Sequence, residues 1–253
     1  AAVMDIARER GISPGLQALL SSAVQTGFVL GAFGFAVTGI ADRFDPRRVM
    51  ALAALMNALT TAALLVIPPG TPASVGLRLA TGIGFAGIYP VGMKIMVGWG
   101  RHDRGFLVGL LVGAVTLGSA LPHLAAFLGG AEWRLVVGAA ALASLLAAVL
   151  ALRLAIGPDH AQALAFDPRA IRLLWTDRNI RAATGGYLGH MWELYALWSW
   201  IGVIAATSYG AHMPGPGAER LAALTAFVSI ALGAFFCVPA GWLADRYGKA
   251  RIA

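Results

Sequence analysis

Five stretches of the chain, residues 11–41, 49–77, 105–131, 135–152 and 221–244, contain no Asp, Glu, Lys or Arg. About 20 apolar residues carry a helix across a ~30 Å hydrocarbon core, and a backbone in lipid must satisfy its own hydrogen bonds. Charge-free runs of this length restrict the chain to an all-α membrane protein. Two further apolar blocks carry only a few charges, Arg78 and Lys94 within 75–99 and Glu193 within 182–209. The pattern predicts seven transmembrane helices near 17–41, 49–67, 75–99, 105–128, 133–154, 182–208 and 219–243.

Composition agrees with that reading. Of 253 residues, 58% are hydrophobic and 12% charged, which excludes a disordered chain, and Cys237 has no second cysteine to pair with, which excludes a disulfide scaffold. The net charge of +7 raises the question of nucleic acid, which the positions of the charges decide. With loops alternating sides, 13 of the 19 basic residues fall on one side, which the positive-inside rule makes cytoplasmic. The expected partner is therefore the lipid bilayer, not nucleic acid, and the expected location is multi-pass in the inner (plasma) membrane.

The connections fit this topology. Pro68-Pro69-Gly70-Thr71-Pro72 and His212-Met213-Pro214-Gly215-Pro216-Gly217 read as tight outer turns. The longest connection, from Gly157 to Arg181, mixes charge with Pro158 and Pro168 and includes an amphipathic run from Ile171 to Trp175, expected to lie on the membrane surface. It divides the chain into a first half-bundle over 1–156, a linker over 157–181 and a second half-bundle from 182 to 253. The opening Ala-Ala-Val-Met and the end just after a basic loop give the expectation that both ends are cut.

An internal repeat narrows the class. Gly39-Ile40-Ala41-Asp42-Arg43-Phe44 closes one outside-to-inside span and Gly241-Trp242-Leu243-Ala244-Asp245-Arg246-Tyr247-Gly248-Lys249 closes another, sharing Ala-Asp-Arg-aromatic in the same orientation. Parallel repeats of this size belong to transporters. The sequence here resembles the major facilitator superfamily, whose loop pattern is Gly-x-x-x-Asp-Arg-x-Gly followed by two basic residues. Gly241, Asp245, Arg246, Gly248 and Lys249 match it; the earlier copy keeps Asp42 and Arg43 but carries Asp45 where glycine is usual and Pro46 before Arg47 and Arg48. The family's Arg-x-x-x-Gly-x-Gly pattern is matched by Arg78, Gly82 and Gly84. The resemblance implies that the seven spans are helices 2 to 8 of twelve in a bacterial-type member, and that the Asp-Arg loops switch between conformations.

Chemistry inside the spans rests on few residues. Glu193 is the one acidic side chain in the body of a span, where a charge costs about 2.5–3.5 kcal/mol on insertion scales. His190 precedes it by three residues on nearly the same helical face, and the two together suit a proton pathway. A structural ion pair for Glu193 is the competing account. Arg78 and Tyr89 share a face of the span that also carries Lys94; these cations favour an anionic solute. Lys94 lies about one turn from the cytoplasmic end, where its side chain can also snorkel. Gly105, Gly109 and Gly113 recur at four-residue spacing and predict close helix packing, with Gly118 beyond them.

No phosphate-binding loop, metal-ligand cluster or catalytic constellation is present in the sequence. The expectation is a protein that is not an enzyme, holds no metal or cofactor, and moves a small solute by alternating access as a proton-coupled symporter. A multidrug antiporter is the nearest alternative, opposed by the absence from this helix of the Gly-Pro junction in the Gly-x-x-x-Gly-Pro-x-x-Gly-Gly pattern that the family's antiporters carry. A seven-helix receptor is a further one, opposed by the Asp-Arg repeat.

Overall fold

A computed structural model describes residues 12–129, 132–160, 169–213 and 215–252, with the side chains of 169–171, 216 and 250 left aside. Ten helices follow one another among the described residues: α1 Pro14–Thr38, α2 Ile40–Arg43, α3 Pro46–Ala63, α4 Pro72–Val97, α5 Arg104–Phe127, α6 Trp133–Ala151, α7 Arg169–Thr176, α8 Arg178–His212, α9 Pro216–Tyr247 and α10 Lys249–Ile252. All seven expected spans fold as helices. Five of them, α1, α4, α5, α6 and α9, are long and apolar enough to cross a bilayer. In α3, Arg47, Arg48, Asn57 and two threonines dilute the apolar run, and in α8 charged and small residues do the same.

Local chemistry sets the helix ends. Ser13, Asp45 and Thr71 each stand before a proline at the first helical turn, and their side chains accept backbone N–H groups from Leu16, Arg47 and Ser74. This joins N-capping to the preference of proline for the first turn. Asp177 caps α8 through Asn179 and Ile180, so that helix starts four residues before the apolar block does. Pro90, Pro122 and Pro239 lie inside helices that continue through them.

The chain divides into two compact units, one formed by residues 1–111, 131–164 and 238–253 and the other by 112–130 and 165–237. In the first, α4 packs against α1 and α3, and α3 packs in turn against α6. Glycines set these distances. A Cβ at Gly27 would overlap the Leu79 carbonyl and one at Gly82 the Val24 carbonyl, so α1 and α4 meet backbone to backbone. The core beside them consists of Val49, Val91 and Ile95 with Phe35, Ile40 and Met50 against it.

In the second unit the later part of α5, α8 and most of α9 associate. Gly113 faces Ala234, where an added Cβ would stand 2.8 Å from the carbonyl oxygen, and His123 lies against Gly202. The hydroxyls of Tyr209 and Thr225 join α8 to α9 at 3.0 Å. The amphipathic run of the linker forms α7, with Leu173, Leu174 and Trp175 exposed.

Candidate functional site

Helix α4 owes its position to its glycines. Gly82 and Gly84 are two residues apart, about 200° around the helix, and so face different neighbours. Gly82 meets the α1 backbone, whereas Gly84 meets Asn57 and Ala53 of α3. Two glycines of the Arg-x-x-x-Gly-x-Gly pattern thus seat α4 between two helices. Their effect is to fix Arg78, one turn before Gly82, within the packed part of the helix. Arg78 is half-buried and pairs with no carboxylate among the described residues. Tyr89 is also half-buried, three turns further on.

Lys94, in the last turn of α4, forms an ion pair with Asp42 of the first Asp-Arg loop. At this cytoplasmic end of the span, where a long side chain can reach the interface, a loop carboxylate meets it. Gly39 makes this possible by adopting φ 63°, a left-handed conformation that breaks α1 and starts the single turn α2 holding Asp42 and Arg43. Asp45 and Pro46, which depart from the family pattern, then start α3. The Asp45 carboxylate accepts the Arg47 backbone N–H at 2.9 Å and is paired with the Arg47 guanidinium at 2.7 Å. That guanidinium holds the Asp45 carboxyl below the usual carboxylate range.

The second loop copy is built differently. Helix α9 continues through Gly241 and Asp245 to Tyr247, and the break comes at Gly248, with φ 94°. Gly241 packs directly on Gly105 at the start of α5, backbone against backbone, leaving no room for a Cβ on either residue. One turn later, Asp245 accepts the backbone N–H of Gly105 at 2.8 Å and that of Phe106 at 2.9 Å. These are two of the four N–H groups that a helix start leaves without intrahelical partners. Asp245 therefore caps α5 from another helix, with its charge at the positive end of the helix dipole. Arg246 stacks over Trp242, 4.0 Å from the ring centroid, and Lys249 opens α10.

Glu193 and His190 lie near the middle of α8, and both side chains are exposed in the second unit. Gly186 and Gly189, which extend the Glu193 stripe, face open space. Around them Trp192 is exposed, and Tyr195 meets Trp198 edge to face at 5.8 Å. Arg78, Tyr89 and Lys94 belong to the first unit, Glu193 and His190 to the second.

Two features escaped the sequence reading. Asn57 is 1% exposed, and neither atom of its amide has a hydrogen-bond partner among the described residues. Only its place in an apolar run signals it. The start of the linker is also clamped: Asp159 donates its N–H to the Gly98 carbonyl and pairs with Arg101 at 2.9 Å, and the Trp99 indole donates to the Ala155 carbonyl. His160 follows, its pKa lowered by burial and by the charge of Lys94. These contacts join residues about 60 apart, beyond any local pattern.

A guanidinium and a carboxylate are costly in the bodies of membrane-spanning helices. Combined with parallel loop repeats whose carboxylates hold neighbouring helices, they define a multi-pass membrane transporter. The family model of the Major Facilitator Superfamily matches residues 1–253, and the chain belongs to that superfamily of secondary transporters. Comparison with curated proteins and with solved structures gives no match.

Proposed function

We propose that the protein moves a small anionic solute across the inner membrane of a bacterial-type cell by alternating access, as a proton-coupled symporter. Arg78 carries the reading. A guanidinium stays ionised, presents a planar fork suited to a carboxylate or phosphate, and is costly inside a span unless an anion meets it. Among the described residues no carboxylate of the chain does so, which supports an anionic solute as its partner. Tyr89 lies on the same face and supplies a hydroxyl. Lys94 joins the pathway in the state in which its pair with Asp42 opens.

Glu193 and His190 form the proton pathway in this proposal, because a carboxyl and an imidazole one turn apart can exchange a proton as their surroundings alternate between wet and dry. The half-bundles over 1–156 and 182–253 rock about the linker over 157–181. The loops at Asp42-Arg43 and at Gly241, Asp245, Arg246, Gly248 and Lys249 set the balance between the two states.

The test uses the complete reading frame reconstituted in proteoliposomes with a panel of radiolabelled carboxylates, inorganic phosphate and neutral sugars. Arg78→Gln lowers uptake of the transported anion tenfold or more, Arg78→Lys restores part of it, and the melting temperature stays within a few degrees. Undiminished anion uptake by Arg78→Gln, or uptake confined to neutral or cationic solutes, refutes the anionic reading.

A further inference from the structure

A trough of about 420 Å³ runs along the contact of α3 and α6, within the first unit. Its floor is Ala51 and Ala148, both buried, and small side chains there let the two helices approach while leaving a furrow above them. Arg48, Leu52 and Leu55 form one wall at i, i+4 and i+7. Leu152, Val149 and Leu145 form the other with the same spacing read in reverse, as expected for antiparallel helices. Each wall is about 10 Å long at 1.5 Å per residue. The trough is thus apolar along its length and ends at one cation.

Any helix in a bilayer meets acyl chains; a furrow that leads to a guanidinium is a more specific shape. Arg47, the neighbouring cation, is engaged by Asp45 and by the Leu154 carbonyl. Arg48 belongs to the trough instead, and Arg153 follows its last wall residue, Leu152, in the chain. Both arginines stand on the basic side of the topology, where anionic lipid headgroups and juxtamembrane cations attract one another.

We propose that the α3–α6 trough is a binding site for an anionic phospholipid, with an acyl chain between the leucine walls and the phosphate on the Arg48 guanidinium. The proposal does not depend on which solute is transported. Its occupant would tie the N-terminus of α3, and with it the first Asp-Arg loop, to the lipid composition of that leaflet.

The chain is solubilised in non-ionic detergent, incubated with dioleoyl phosphatidylglycerol or dioleoyl phosphatidylcholine, and the retained lipid is counted by native mass spectrometry. Phosphatidylglycerol is retained over phosphatidylcholine, and Arg48→Gln lowers its occupancy about fivefold, the effect of one cation near a headgroup. Arg172→Gln, which removes the same charge elsewhere, leaves occupancy unchanged. Ala148→Leu raises the floor and lowers retention of both lipids; Val149→Phe serves the same purpose should Ala148→Leu melt early. Inorganic phosphate at millimolar concentration does not displace the lipid. Equal retention by Arg48→Gln and the parent, or full displacement by phosphate alone, overturns the proposal. Unchanged lipid retention with a changed oligomeric state in Ala148→Leu also overturns it, and assigns the trough to a second copy of the chain.

Discussion

Replacing Asp245 by Asn tests the cap that α9 places on α5. The carboxylate receives two backbone N–H groups at 2.8 and 2.9 Å, one on each oxygen. Asn keeps the shape but has one acceptor oxygen, and its amide NH2 would face the other N–H. The loss is one charge-assisted hydrogen bond plus weakening of the second by removal of the charge. Hydrogen bonds to charged groups contribute about 1.5–3 kcal/mol, which at ~1.4 kcal/mol per decade is roughly a 10- to 150-fold change in local opening. Amide hydrogen exchange read by mass spectrometry on a peptide covering residues 100–110 should accelerate by that factor at Gly105 and Phe106, while peptides from α1 and α4 stay unchanged. Gly241→Ala should reproduce the effect from a different direction, because a methyl there pushes α9 off Gly105. Unaltered exchange in both variants would refute the reasoning that Asp245 caps α5.

Three further outcomes follow from contacts elsewhere. Gly82→Ala places a methyl against the Val24 carbonyl and should cost about 1–3 kcal/mol or more, lowering the melting temperature in detergent, whereas Gly118→Ala, with open space around it, should not. Asp45 has a folded pKa below its unfolded value, so its contribution is present above the unfolded value near 3.9 and is lost as pH falls through the lower folded value; Asp45→Asn keeps an acceptor for the Arg47 N–H and should flatten stability in that acidic range, whereas Asp45→Ala removes the cap as well and should cost about 0.5–2 kcal/mol near neutrality. Asn57→Leu exchanges a buried amide with no hydrogen-bond partner among the described residues for an apolar group of similar size and should raise stability by about 1–3 kcal/mol; a fall in melting temperature would show that the amide has a partner.

The spans were legible because a lipid solvent leaves little choice: apolar length alone places seven helices, with ends displaced by up to four residues. Those displacements came from capping. The Ser13-Pro14 start moves α1 three residues earlier than the apolar run suggests, and the left-handed Gly39 stops it before the run ends. The Asp-Arg repeat was equally visible, but the partners of its carboxylates were not, since Asp42 with Lys94 and Asp245 with Gly105 are 52 and 140 residues apart. The earlier copy looked irregular as a sequence, yet its Asp45-Pro46 makes a sound helix start. Glycine spacing in α5 predicted close packing, and Gly105 and Gly113 supply it, while Gly118 faces open space. Asn57 and the Asp159 clamp had no periodic or motif signal, because each depends on which helices become neighbours.

Proton coupling through Glu193 is tested most directly by proteoliposomes carrying Glu193→Gln in the complete reading frame, assayed on one preparation for accumulation driven by a pH gradient and for counterflow at equal pH. The account predicts that accumulation disappears, that counterflow persists, and that the melting temperature is preserved, since glutamine keeps the side chain's shape and loses only its titration. Proton-driven accumulation that survives intact would remove Glu193 from the mechanism, and a melting temperature lowered by the loss of a few kcal/mol with coupling retained would make it a structural ion pair instead.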